Sequence, residues 1–98
     1  MLITIDVGNT NITVGVFNGD DVVASFRMTT KIPRTSDEYG MLLINLLEQN
    51  KICPDEIEDA ILASVVPNVM HALEGAVVKY LHIRPINIET GIRTGIKI

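Results

Sequence analysis

Residues 1–17, MLITIDVGNTNITVGVF, contain the clearest strand and turn signals of the chain. Two runs rich in apolar and β-branched residues, Leu2–Asp6 and Ile12–Phe17, flank a glycine and a cluster of small polar residues. Apolar, β-branched runs favour strands, whereas Gly, Asn and Thr favour the turn between them. The chain is therefore predicted to open with two neighbouring strands joined by a tight, polar connection.

A third strand is predicted at Val22–Met28, just after the dipeptide Asn18-Gly19. Asn-Gly is the strongest short signal for a β-hairpin, because a type I′ turn needs positive φ at both central residues. The first part of the chain therefore predicts an antiparallel meander of three strands.

The rest of the chain alternates helix and strand patterns. Residues 35–38, Thr-Ser-Asp-Glu, match a capping box, and the apolar spacing that follows predicts a helix of about four turns. The nearly unbroken apolar run Ala60–Val66 is typical of a parallel strand buried on both faces. Pro67 suits the first position of a second helix with an apolar stripe to Leu81, and Pro85–Ile88 predicts a short strand.

The resulting order, β-β-β-α-β-α-β, predicts an α/β fold with a mixed five-stranded sheet. The length of 98 residues suits one domain, and 47% hydrophobic residues with a mean hydropathy of +0.31 are enough for a packed core. Residues 1–98 are therefore treated as a single domain.

Charge and composition argue against several function classes. A formal charge of −4, with two tyrosines, two phenylalanines and no tryptophan, makes nucleic acid an unexpected partner. No apolar run approaches the roughly 20 residues of a membrane span, and the first residues lack a basic n-region followed by an apolar h-region and a small-residue cleavage site. The single cysteine, Cys53, cannot form an internal disulfide, so the cytoplasm is the expected compartment.

The connection between the first two strands, from Asp6 to Asn11, has the residues of a phosphate site. Turn amides can point at an anion, glycine allows close approach, and Asn and Thr add neutral hydrogen-bonding groups. A carboxylate beside phosphates is favourable when Mg²⁺ lies between them. The same residue types also stabilise ordinary hairpin loops, so this pattern alone leaves both interpretations open.

Four motifs in this order resemble type III pantothenate kinases, within the actin, hexokinase and Hsp70-like ATPase superfamily. They are IDVGNTN at 5–11, RTSDEY at 34–39, ASVVP at 63–67 and GIRTGI at 91–96. The resemblance implies an RNase H-like (actin-like ATPase) half-domain. It also implies phosphoryl transfer from ATP to pantothenate in coenzyme A biosynthesis, with Mg²⁺, a monovalent cation (K⁺ or NH₄⁺) and a homodimer.

Carried over residue by residue, the resemblance assigns eight positions to the nucleotide-phosphate loop. The assigned residues are Asp6, Val7, Gly8, Asn9, Thr10, Asn11, Ile12 and Thr13. Asp6 is assigned to the metal side of the phosphates, and Gly8 to Asn11 are assigned to the phosphate oxygens. Ile12 and Thr13 are expected to hold the second strand in place.

The other motifs leave alternatives open. Arg34 either steers an anionic substrate or belongs to the structural start of the first helix, which we favour. Ser64 either lies at a ligand-binding sheet edge or caps the next helix. Gly91, Thr94 and Gly95 either line a pantothenate pocket or make a tight turn.

The family pattern continues into a G-A-D-R segment, whose aspartate takes the proton from the pantothenate hydroxyl, and into a second phosphate loop. Neither occurs in residues 1–98. We therefore expect no catalytic residue in this chain, which would be an N-terminal domain without kinase activity by itself. We also expect this domain to self-associate through surfaces left uncovered. The alternatives are a non-catalytic nucleotide-binding or regulatory module and a purely structural or interaction domain.

Overall fold

The computed structural model describes residues 1–89, which form one mixed sheet with helical connections. The order of the strands across the sheet is β3-β2-β1-β4-β5. The strands are β1 (Leu2–Val7), β2 (Asn11–Asn18), β3 (Asp21–Thr29), β4 (Asp59–Ser64) and β5 (Ile86–Glu89). Each predicted strand is present, with bounds that differ by one or two residues.

Helices connect the later strands. Helix α1 spans Ser36–Gln49, and helix α2 spans Pro67–Ala76 and continues into a π-helical turn, Val77–Leu81. The predicted capping box is confirmed. The Thr35 hydroxyl accepts from the Glu38 amide at 3.1 Å, and the Thr35 amide donates to the Glu38 carboxylate at 2.8 Å. No helix within residues 1–89 is long and apolar enough to cross a membrane.

Strand directions place four strand ends together. Strand β1 pairs antiparallel with β2 and parallel with β4, β3 pairs antiparallel with β2, and β5 pairs parallel with β4. The carboxyl ends of β1, β3, β4 and β5 therefore meet at one side of the sheet, called here the carboxyl edge. Open α/β sheets bind ligands at this kind of edge.

One face of the sheet, called here the helix face, carries the core. Alternate residues of β1 point into it, and their register partners in β2 and β4 share that side. Both helices bury their apolar stripes against this face. The core side chains include Ile3, Ile5, Val7, Ile12, Val14, Val16, Leu62, Tyr39, Leu43, Leu47, Leu73 and Ala76.

The opposite face, called here the open face, is much less covered. Ile61 and Ala63 of β4 are only half-buried there, and Ile86 and Ile88 of β5 are 61% and 47% exposed. The expectation that Ala60–Val66 is buried on both faces is therefore wrong, although its parallel pairing is confirmed. The reason is that both described helices lie on the same side of the sheet.

The turn between β2 and β3 differs from the predicted type I′ geometry. Asn18 pairs with Asp21, so Gly19 and Asp20 are the central residues. Gly19 has φ +64°, whereas Asp20 is not among the residues with positive φ, which is the pattern of a type II′ turn. A register irregularity between Val16 and Phe17 takes up one residue and leaves this two-residue turn.

The two helices cross closely at glycines. A Cβ on Gly40 of α1 would overlap the Tyr80 ring, and a Cβ on Gly75 of α2 would lie 2.7 Å from the Ser36 hydroxyl. Asp37 accepts hydrogen bonds from Lys79 at 2.7 Å and from the Tyr80 hydroxyl at 3.0 Å. The bond from Lys79, and then that from Tyr80, lowers the pKa of Asp37. These contacts attach the π-helical turn to the start of α1.

Candidate functional site

The predicted phosphate loop lies at the carboxyl edge, between the end of β1 at Val7 and the start of β2 at Asn11. Of the eight assigned residues, two are buried, Gly8 is half-buried and five are exposed. The side chains of Val7 and Ile12 are 1% and 0% exposed on the helix face, so only their backbone can meet a ligand. The exposed members are Asp6, Asn9, Thr10, Asn11 and Thr13.

The loop is held by hydrogen bonds on three sides. Within the turn, the Gly8 amide donates to the Asn11 carbonyl at 2.9 Å. From the β3 side, Thr30 donates its hydroxyl to the Gly8 carbonyl and its amide to the Thr10 carbonyl, both at 2.9 Å. From the β4 side, the Val65 amide donates to the carbonyl of Val7 at 3.1 Å.

These bonds leave donors available in the turn. The Asn9 and Thr10 amides have no hydrogen-bond partner among residues 1–89, and the Asn11 amide does not donate to the Gly8 carbonyl. In a two-residue hairpin turn with both hydrogen bonds between its flanking residues, the Asn11 amide would donate to the Gly8 carbonyl. The turn therefore offers backbone N–H groups and three polar side chains at the edge of the sheet, which suits an anion.

Asp6 is the single carboxylate of the loop. Its side chain points to the open face, beside Thr13 of β2 and Ala63 of β4. In the part of the chain that the structure describes, no group of three or more His, Cys, Asp or Glu residues could hold a metal. Arg27 of β3 stands in register with Thr13 and is exposed, so it brings a positive charge to the same row of the open face.

Arg34 is engaged with the protein itself. Its Nη1 donates to the Thr29 carbonyl at 2.9 Å, and its guanidinium carbon lies 5.7 Å from the centroid of the Tyr39 ring. The first distance is that of a hydrogen bond, and the second lies within the range of a cation–π interaction. The geometry supports the structural interpretation of the RTSDEY motif.

Ser64 is buried at the carboxyl end of β4. Its hydroxyl both donates to the Val66 carbonyl and accepts from the Val66 amide, each at 2.8 Å. It therefore holds the residue before α2 rather than bonding to an amide of the helix. The third pair of alternatives, at Gly91, Thr94 and Gly95, lies outside the described residues.

Thr30 is the residue of this site that the sequence interpretation missed. It lies one position after β3, half-buried, and 22 residues from the carbonyl that its hydroxyl contacts. The available signal was the position of a hydroxyl residue directly after a strand that ends at the carboxyl edge. That signal needed the direction of β3, which the predicted meander already gave.

Sequence comparisons with known proteins find relatives along the whole chain. A family model described as type III pantothenate kinase matches residues 2–98. The chain is 63% identical over 98 residues to a type III pantothenate kinase of Agathobacter rectalis, and 43% identical over 98 residues to that of Bifidobacterium animalis subsp. lactis. All of this chain is aligned in both cases, and it spans 38% and 39% of the length of those relatives.

A solved structure supports the fold. The chain is similar to the ROK hexokinase of Thermus thermophilus, with a TM-score of 0.65 and 13% sequence identity over 90% of this chain and 33% of that one. At this identity the similarity concerns the fold alone. The predicted class, an α/β half-domain of the actin and hexokinase type with a mixed five-stranded sheet, is confirmed.

Proposed function

Because the chain belongs to the family of type III pantothenate kinases, we propose that it supplies the first nucleotide-phosphate loop of an enzyme that phosphorylates pantothenate with ATP. The observation that carries this proposal is the turn from Gly8 to Asn11, which presents amides without an internal partner at the carboxyl edge. Backbone amides in such turns bind phosphate oxygens in many nucleotide enzymes.

The exposed side chains of the loop fit the same role. Asn9, Thr10 and Asn11 carry neutral donors and acceptors, so they can bond to phosphate oxygens without adding charge. Thr13 of β2 stands in register with Asp6 on the open face. Val7 and Ile12 contribute by anchoring the two strands in the core, and this keeps the turn in place.

Asp6 is the residue proposed to hold Mg²⁺. An exposed carboxylate that has no surrounding cluster among residues 1–89 suits this ion, because Mg²⁺ keeps several waters and binds through one or two carboxylates together with substrate phosphates. When bound, the ion offsets phosphate charge during transfer. The resemblance also implies K⁺ or NH₄⁺, and we assign none of residues 1–89 to that cation.

The loop by itself does not complete a kinase. Asp6 is its single carboxylate and is assigned to the metal, so the loop has no group left to take the proton from the pantothenate hydroxyl. Phosphoryl transfer depends on groups placed around both substrates. We therefore expect no turnover from residues 1–98 alone, and we expect the proton acceptor to come from elsewhere in the enzyme.

The open face supports a further part of the proposal, namely self-association, as in a homodimer. Ile86 and Ile88 are large apolar side chains exposed side by side with the half-buried Ile61 and Ala63. Exposed apolar patches of this kind mark contact surfaces.

An ATP-dependent metabolic step and one exposed, free cysteine both fit the cytoplasm.

The test of the phosphate loop is binding of ATP with and without Mg²⁺, measured by calorimetry on the full chain. Asp6→Asn keeps the side-chain size but removes the charge, and we expect about tenfold weaker binding of the magnesium complex, about 1.4 kcal/mol. Metal-free ATP should bind the variant at least as well as it binds the original chain, because a repulsive charge is gone.

Asp20→Asn is the matched control, since Asp20 is an exposed aspartate in the turn at the opposite edge of the sheet. It should leave both affinities unchanged. Equal effects of the two substitutions would exclude Asp6 as the metal ligand, and a chain that binds no ATP in either condition would remove the proposal as a whole.

A further inference from the structure

We propose that Thr30 is a positioning residue that presets the phosphate loop, a role that rests on the proposed function of that loop. Thr30 touches the loop twice, through its hydroxyl at the Gly8 carbonyl and through its amide at the Thr10 carbonyl. It lies in another segment of the chain, directly after β3, and the proposal does not require it to contact the nucleotide.

The effect follows from peptide geometry. In a trans peptide the C=O of one residue and the N–H of the next point in opposite directions, and residues 1–89 contain no cis peptide bond. The Gly8 carbonyl points to Thr30, so the Asn9 amide points away from it. The Thr10 carbonyl also points to Thr30, so the Asn11 amide points away as well. Two donors are thereby turned to the same side of the loop.

The hydroxyl of Thr30 has a specific part in this arrangement. In a closed two-residue turn the Gly8 carbonyl would accept from the Asn11 amide, and that donor would be consumed within the turn. Here the Thr30 hydroxyl donates to the same carbonyl at 2.9 Å. The carbonyl is satisfied, and the Asn11 amide is left available for an anion.

Thr30 is itself held in place from the other side. The carbonyl of the preceding residue, Thr29, accepts from Arg34, whose guanidinium packs over the Tyr39 ring at the start of α1. A chain of contacts, called here the clamp, therefore runs from the start of α1 through residues 29 and 30 to the phosphate loop. Because the donors are already ordered before binding, the free-energy cost of fixing them in the complex is smaller.

The test compares three variants of the full chain by the amide resonances of Asn9, Thr10 and Asn11 during titration with magnesium ATP. Thr30→Val keeps the shape and the backbone amide but removes the hydroxyl, and we expect about fivefold weaker binding. Thr30→Ser restores the hydroxyl and should restore most of the affinity. Thr4→Val removes a threonine hydroxyl 3.5 Å from the Gly15 carbonyl, away from the loop, and should change nothing.

The outcomes separate this inference from the proposed function. If the original chain shows no response of the loop amides to magnesium ATP, the phosphate loop itself is wrong. If the original chain responds and Thr30→Val responds equally, only the role of Thr30 is wrong. Equal loss in Thr30→Val and Thr30→Ser also overturns it, because a merely structural effect would not distinguish the hydroxyl.

A crystal structure of the nucleotide complex gives a second test that does not depend on how well the Thr30 variants fold. The inference requires the Thr30 hydroxyl to remain bonded to the Gly8 carbonyl while the Asn9 and Asn11 amides face phosphate oxygens. A Gly8 carbonyl turned away from Thr30 in that complex would overturn it.

Discussion

The two faces of the same sheet differ more than their sequences suggest. On β4, Leu62 is fully buried on the helix face, whereas its neighbour Ile61 is half-buried on the open face. On β5, Ile86 and Ile88 stand in register with Ile61 and Ala63 and are largely exposed. Apolar residues therefore occur on both faces, but only one face is sealed by helices. An apolar run identifies a strand without showing which of its sides is covered.

The same division runs through the phosphate loop. Val7 and Ile12 point to the helix face and are buried, while Asp6 and Thr13 point to the open face. The packed side thus holds the strands rigid, and the other side carries the polar chemistry. A shift of one residue in the register would exchange the two sets of side chains.

The largest expected effect is the loss of packing on the helix face. Leu62→Ala should lower the free energy of unfolding by about 3 kcal/mol, because the surroundings of a fully buried leucine cannot close the cavity completely. Ile61→Ala is the matched change on the open face and should lower it by about 1 kcal/mol. Urea denaturation followed by circular dichroism measures both, and equal losses would mean that the open face is sealed as well.

A second, smaller effect is expected where the helices cross above the helix face. Gly40→Ala should lower the free energy of unfolding by about 2 kcal/mol, because the added Cβ would overlap the ring of Tyr80. Gly75→Ala should cost less, since its Cβ meets a serine hydroxyl that can rotate away.

The double variant Gly40→Ala with Tyr80→Ala identifies the cause of that loss. Removing the ring should make Gly40→Ala neutral or stabilising in that background, because alanine is the better helix former. If the penalty of Gly40→Ala persists without the ring, the close crossing does not explain it.

The smallest effect on stability is expected on the open face, where association should change instead. Replacing Ile86 and Ile88 together by Thr should alter the free energy of unfolding by about 0.5 kcal/mol or less, since both side chains lie on the surface, 61% and 47% exposed. The same variant should sediment as a smaller species at micromolar concentration. Val78→Thr, an exposed apolar residue of the π-helical turn, serves as the control. Unchanged sedimentation of the double variant would show that this face does not mediate self-association.

Local patterns predicted the features that depend on local contacts. The capping box at Thr35 and Glu38 involves residues three positions apart, and it was visible in the sequence. The parallel pairing of β4 was predicted because its apolar run lacks the alternation of a half-exposed strand. The polar turn between the first two strands was also predicted, since the types of its own residues indicate a turn.

Apart from the parallel pairing of β4, features that depend on distant contacts were not predicted. The hydroxyl of Thr30 reaches a carbonyl 22 residues away, and its position directly after β3 indicates the edge of the sheet but not that partner. The packing of Tyr80 over Gly40 also needs the relative placement of both helices, which the residue pattern does not give. The turn at Gly19 depended on a register irregularity that a pattern of residue types does not contain.

The topology also sets the order in which the loop can form. The turn at Gly8 and its clamp at Thr30 belong to the meander, so residues 1–30 contain nearly all of its hydrogen bonds. Pairing of β1 with β4, by contrast, brings Val7 to Ser64 across a much longer stretch of chain, and closing it costs more entropy. During synthesis the loop can therefore approach its final shape while the helices are still emerging from the ribosome, with the Val65 contact added last.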